Sequence, residues 1–311
     1  MTSARIPVLV LCALALGIES HADLKVGIMP AYNSIPLVVA EDAGFFAACG
    51  VSVQLVPFSS QLNRETALQT GSIDGAVSDM INAIQAWAHG FGSRVTSVSE
   101  GSFSLLSAPG SRLHSVADLR GPGSPVKTGL LENSIVYYVT QRMLESSGVD
   151  PGRIQLVPIV ALPARLEMLL AGKVEAACLP EPLATMASAR GAHRLADTEE
   201  MGTTPGVILF SRRALAERSK EIAAFYRAYD MAVGEVNANG GLYRDAIVAK
   251  CEFPPAVKDL MRIPRFRRSF SPDAALVSDV ARWMEEKGLV SAVPRYEEIA
   301  APGFAADAGA P

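Results

Sequence analysis

Aromatic residues are scarce in this chain, 6% of 311 positions, and it has only four histidines and four cysteines. So few rings offer no stacking platform for single-stranded nucleic acid. A net charge of −4 leaves no basic footprint for a phosphate backbone. The one short cationic cluster, Pro264–Arg268, reads as a solvated surface. Nucleic acid is therefore excluded as a partner. The histidines (His21, His89, His114, His193) are scattered, and no Cys-x-x-Cys or Cys–His spacing suits a metal, so neither a metal site nor a cofactor is expected. "GSPVKTG" (123–129) lacks the spacing and the terminal Lys-Ser/Thr of a phosphate loop. No serine or cysteine is visibly paired with a base, as a nucleophilic enzyme would require. Past the first two dozen residues, no apolar run approaches the roughly 20 residues that span a bilayer.

What is present begins at the N-terminus. Arg5 precedes an apolar run, Ile6–Ile18, and a Ser20-x-Ala22 pattern follows. That order describes a secretory signal peptide over residues 1–22 and a periplasmic or otherwise extracytoplasmic mature chain. Cys12 offers lipid anchoring as a lesser alternative, because Leu11 stands where a small residue is expected. Cleavage leaves Cys49, Cys178 and Cys251, an odd number, so at least one thiol stays unpaired.

From Leu24 onward, apolar runs of strand length alternate with amphipathic stretches of helix length. "LKVGIM", "VSVQLVPF" and "IDGAVS" read as strands; "IPLVVAEDAGFFAAC", "RETALQTG" and "DMINAIQAWAHG" read as helices closed by glycine. The theme returns with "NSIVYYVTQRMLESSG", "RIQLVPI", "ARLEMLLAG", "VEAACL" and "PLATMASARG". Such alternation predicts an α/β fold built on mainly parallel sheets. After "VILF" (207–210) strands disappear and helices dominate, "AERSKEIAAFYRAYDMAVGEVNANG" being the longest. An internal echo pairs Gly71 with Gly172, Asp74 with Glu175 and Ala76 with Ala177, and each copy runs on to an acidic residue that opens a helix, Asp79 and Glu181.

Two similar halves imply a cleft. Ligands of open parallel sheets gather beyond the carboxyl ends of strands, at helix N-termini. Five such turns carry small polar side chains: 30–34, 58–61, 78–79, 131–134 and 180–182. Helix capping accounts for any one of them at about 1 kcal/mol; five at one cleft point to ligand contact as well.

At this point the sequence resembles the solute-binding proteins of ABC importers in the nitrate/sulfonate/taurine/thiamine-pyrimidine-precursor group. The resemblance rests on "VAEDAGFFAACGVSVQLV", "ALQTGSIDGAVSD", "SVADLRG", "LEMLLAGKVEAACLPEP" and "VARWMEEKGLVSAVPRYEEIAAPGF", which together cover most of residues 24–304. It implies a two-lobed periplasmic-binding-protein fold of type II: lobe one from 23–108 and 205–311 with extra C-terminal helices, lobe two from 109–204. Hinges would fall near 107–116 and 198–206. The implied partners are a small-molecule ligand and an ABC permease with its ATPase, the chain acting as a monomer. Carried onto matching positions, the pocket candidates are Tyr32, Asn33, Ser34, Ser59, Ser60, Ser78 and Asp79 from lobe one. Lobe two would supply Glu132, Asn133, Ser134 and Glu181, the last facing Asp79 and the ligand across the closed cleft. Three carboxylates and no cation at these turns favour a nitrogen heterocycle of the pyrimidine type; an organic sulfonate is the runner-up. "GPGSPVKTGLLENS" departs from the family's usual entry to the second lobe, so ligand identity does not carry over. Enzymes of the same fold, in menaquinone or pyrimidine synthesis, are the alternative.

Overall fold

The computed structural model describes residues 22–99, 101–121, 123–199 and 204–305. All of the expected signal peptide but Ala22 lies outside the described residues.

The chain runs β1 (Leu24–Ile28), α1 (Ile35–Asp42), α2 (Phe45–Ala48), β2 (Val53–Pro57), α3 (Gln61–Gln69), β3 (Gly75–Asp79), α4 (Met80–Ala88), β4 (Arg94–Val98) and β5 (Phe103–Ser107). It continues with β6 (Val126–Leu130), α5 (Ile135–Ser146), β7 (Ile154–Pro158), α6 (Leu162–Leu170), β8 (Ala176–Pro180), α7 (Leu183–Ala189), β9 (His193–Asp197) and β10 (Gly206–Phe210). Helices α8 (Arg212–Glu217), α9 (Ser219–Asn239), α10 (Arg244–Lys250), α11 (Ala274–Glu286) and α12 (Tyr296–Ile299) complete it. The single helix read over Ile35–Cys49 is two, because Gly44 takes a left-handed φ of 73° between α1 and α2.

Two five-stranded sheets form, in the orders β2-β1-β3-β10-β4 and β7-β6-β8-β5-β9. In each, three strands are parallel and the fourth, β10 or β5, runs antiparallel. The central strands "GAVSD", "AACLP" and "GVILF" are buried along their whole length, as expected where helices cover both faces. The chain changes sheet between β4 and β5 and again between β9 and β10, the first change coming ahead of the 107–116 stretch read as the first hinge. Phe103–Ser107, assigned to lobe one from sequence, therefore pairs in the second sheet. Their ends are tied together: Ser99 N donates to Gly206 O at 2.9 Å, and Phe103 N to Thr198 Oγ1 at 3.0 Å.

The echo is structural. Asp74 Oδ2 accepts from Lys25 N at 3.0 Å, and its counterpart Glu175 accepts from Lys127 N at 3.0 Å. Each acid ties the start of a central strand to its parallel neighbour.

The late helices divide their work. The long α9 covers the first sheet's helices, with Phe225 stacked on Phe46 at 5.7 Å and edge-on to Phe210 at 5.6 Å. Helix α11 packs against both α4, from the first half, and α5, from the second. Its Trp283 is buried between Tyr137 and Tyr138, at 5.6 and 5.2 Å, and its indole N–H donates to Gln141 Oε1 at 2.9 Å. Tyr138 donates its hydroxyl proton to Asp279, which also pairs with Arg142 at 3.0 Å.

Candidate functional site

The carboxyl ends of β1, β3, β6 and β8 converge on a cavity of ≈ 60 Å³ between the sheets. A water needs about 10–15 Å³ on this measure, so the space suits a small polar headgroup. Its walls are mixed. Met29, Val77, Phe103, Leu131, Ile135, Val136, Val160 and Leu162 are apolar; Asn33, Gln61, Arg64, Ser78, Asp79 and Arg165 bring the polar chemistry.

The two arginines are the unexpected element. Arg64 lies one turn into α3, and Arg165 at the matching place in α6; each precedes its helix-closing glycine, Gly71 or Gly172, by the same interval. Both side chains are buried, at 4% and 2% exposure. Their stems cross strand glycines: a Cβ on Gly27 would stand 3.3 Å from Arg64 Cγ, and one on Gly129 3.5 Å from Arg165 Cγ. The same Cβ atoms would meet Ile73 at 2.8 Å and Ile159 at 3.0 Å, so a larger residue in either strand crowds the stem's path.

Their partners differ. Arg64 donates to Glu65 Oε1 from Nε and Nη2 at 2.8 and 2.6 Å, to Ser78 Oγ at 3.0 Å and to Met29 Sδ at 2.9 Å. Among the described residues Arg165 reaches backbone carbonyls alone, Ile159 O at 2.7 and 3.3 Å and Cys178 O at 3.3 Å. Among the described residues it has no carboxylate partner, and burial lowers its pKa to about 10. A buried guanidinium without a counterion costs several kcal/mol in a low-dielectric site and favours an anion beside it.

Of the sequence candidates, Asn33, Ser78 and Asp79 line this cavity. Asp79 Oδ1 caps α4 by accepting from Asn82 N at 2.9 Å, and Oδ2 accepts from Asn82 Nδ2 at 2.9 Å. Burial raises its pKa to about 6, against the pull of Arg64. Asn82 Oδ1 in turn takes Gln61 Nε2 at 3.0 Å. Ser60 caps α3 and forms a bridge to Ala161 across the cleft, while exposed Ser59 accepts Leu162 N through its carbonyl at 3.4 Å. Ser34 and Ser134 are internal: their hydroxyls donate to Met29 O at 2.8 Å and to Leu131 O. Glu132 is exposed and does not line the cavity. Asn133 takes a left-handed φ of 57°, and its Oδ1 is buried without a hydrogen-bond partner among the described residues.

Tyr32 and Glu181 face elsewhere. They line a separate cavity of ≈ 550 Å³ with Thr185, Ser188, Arg194 and the 260–264 segment. Pro180, not Glu181, ends β8 opposite Asp79. Glu181 Oε2 accepts Thr185 N at 2.9 Å at the start of α7, and Oε1 pairs with Arg194 at 2.7 Å. Pro182 is the N-cap of α7 and Leu183 its first residue.

Gln61 stands in the 58–61 turn without being among the expected residues, and Arg64 and Arg165 lie inside helices rather than at turns. Extending the echo back from Gly71 and Gly172 to the paired arginines would have found two of the three. No group of three or more metal-ligating side chains is placed to hold an ion among the described residues.

The alkanesulfonate-binding protein SsuA from Xanthomonas axonopodis pv. citri, bound to MOPS, superposes with a TM-score of 0.75 at 21% identity, covering 91% of this chain and 99% of that one. The ligand-binding component of an ABC-type import system from Staphylococcus aureus, with zinc bound, gives 0.76 at 14% identity over 91% and 98%. A Candida albicans gene product described as exhibiting the generic periplasmic binding protein structural fold gives 0.67 at 15% over 92% and 97%. No curated protein sequence matches the chain. These likenesses establish the periplasmic-binding-protein fold that the sequence resemblance implied. Residues 18–238 match the model of the NMT1-like family, and the chain belongs to that family.

Proposed function

We propose that this chain is the extracytoplasmic solute-binding component of an ABC import system, capturing a small organic anion of the sulfonate class and passing it to a permease. The observation that carries this reading is Arg165, a buried guanidinium in the cleft wall with carbonyl partners only. A sulfonate head offers the negative charge and acceptor oxygens it lacks, and the apolar wall suits a short carbon body. The earlier preference for a nitrogen heterocycle rested on three carboxylates and no cation. Glu181 is neutralised by Arg194, Glu132 lies off the cavity, Asp79 caps a helix, and two arginines line the wall. That balance now favours the anion. Residues 1–22 would serve as the export signal, and lobes divided at the two passages between sheets would close on the ligand.

The test is thermal shift and calorimetry on the chain lacking residues 1–22, against alkanesulfonates, nitrate and aminopyrimidines, with mass spectrometry of co-purified material. One-to-one binding of a sulfonate without turnover, lost in Arg165→Met, is expected. At ligand one hundred times Kd the stabilisation is about 2.7 kcal/mol. Preferential binding of an aminopyrimidine, or consumption of the ligand by the purified protein, would overturn the reading.

A further inference from the structure

Helices α3 and α6 are counterparts, each presenting an arginine to the cleft, yet the next residue is Glu65 in one and Leu166 in the other. Glu65 is buried behind Arg64. Its Oε1 takes Nε, Nη2 and the Ser78 hydroxyl, at 2.8, 2.6 and 2.8 Å. Leu166 is also buried and supplies no charge. One guanidinium is therefore neutralised within its own helix and the other is left to the ligand.

The remaining acid of the wall, Asp79, sits on the α4 N-terminus, where the helix N–H groups and Asn82 offset its negative charge. A ligand with one negative charge finds one cation, Arg165, that has no carboxylate partner among the described residues. A second negative charge at the same place would face the buried Glu65 and Asp79, and like-charge juxtaposition of this kind costs several kcal/mol.

We propose that Glu65 is a specificity-determining residue that restricts the cleft to monoanions by cancelling the charge of Arg64. It acts through Arg64 and does not itself line the cavity. The inference rests on the anion-binding reading above. Glutamine at the same place keeps the acceptor oxygen for Arg64 while releasing one positive charge to the cleft.

Alkanesulfonates and alkyl phosphates of equal chain length differ chiefly in charge at mildly alkaline pH, where the phosphates are dianions. The methyl, butyl and octyl pairs are titrated calorimetrically into wild type and Glu65→Gln, with Arg165→Met as the control for the site. Wild type should bind a sulfonate at least about tenfold more tightly than the matching phosphate. In Glu65→Gln the phosphate should gain about tenfold or more relative to the sulfonate. If Glu65→Gln does not fold, Glu65→Leu, which copies Leu166, is measured instead, and the wild-type ratio is a separate requirement. Sulfonate binding that depends on Arg165 but shows no preference over phosphate, or a preference unmoved by both variants, overturns the charge-matching role alone. Failure of every sulfonate to bind wild type overturns the anion reading, and this inference with it.

Discussion

Replacing Arg165 by methionine should make the ligand-free protein more stable and blind to anions. Burial lowers the Arg165 pKa to about 10, which corresponds to roughly 3 kcal/mol against the charged form. Methionine fills a similar path past Gly129 without the charge. Against that gain stand the carbonyls of Ile159 and Cys178, which lose the guanidinium donors. At 2.7 Å only one of those bonds is short, so the loss is about 1–2 kcal/mol. The balance is a net stabilisation of about 1–2 kcal/mol, or a Tm rise of about 2–3 °C for a protein of this size. Differential scanning calorimetry of both proteins, with and without an alkanesulfonate, reads the two effects separately. The expected pattern is a higher baseline Tm in Arg165→Met with no anion-dependent increment, and a lower baseline with a clear increment in wild type. A variant that melts below ligand-free wild type would refute the reasoning, because the guanidinium would then be structural cement rather than a charge held in readiness.

Other outcomes follow from neighbouring groups. Because burial raises the pKa of Asp79 to about 6 in the folded state, its contribution is fully present below about pH 4 and is lost as pH rises through about 6. Asp79→Asn should flatten the urea-unfolding profile across that interval, and identical slopes in both proteins would count against the assignment. Glu181→Gln weakens the α7 start and the Arg194 pair, so about 1–2 kcal/mol of stability should go while anion affinity stays unchanged; a loss of affinity at unchanged stability would put Glu181 at the ligand after all. Gln141→Leu strands the Trp283 indole N–H in the α5–α11 contact, at an expected cost of about 1–3 kcal/mol in urea melts followed by tryptophan fluorescence. A neutral effect there would mean that α11 contributes little to joining the halves.

Much of the framework was legible because parallel strands covered on both faces are continuous apolar runs, and glycines with positive φ close the helices between them: Gly71 and Gly172 at 74° and 65°. Strands β4, β5 and β9 were missed. "RVTSV", "FSLLS" and "HRLAD" mix hydroxyls and charges into short runs, and their place is fixed by antiparallel pairing with β10, β8 and β5, which periodicity does not reveal. The first passage between sheets was read too late for the same reason. At the site, the polar turns were found, but several serve their own backbone, as Ser34 and Ser134 do. The arginines lay hidden inside helical patterns, where a lone cation ordinarily signals solvent. Their burial depends on Gly27 and Gly129, far away in sequence.

The antiparallel insertions also set an order of assembly. The first sheet cannot be completed until β10 arrives between β3 and β4, because the strand that pairs with β4 is made more than a hundred residues later. The second sheet needs nothing beyond β9. In a chain made from its N-terminus, the half that begins later can therefore finish first, while β4 waits as an exposed edge with its ladder unfilled. Pulse-labelled hydrogen exchange during refolding should protect β6, β7 and β8 before β4, and protection of β4 ahead of β10 would contradict that order.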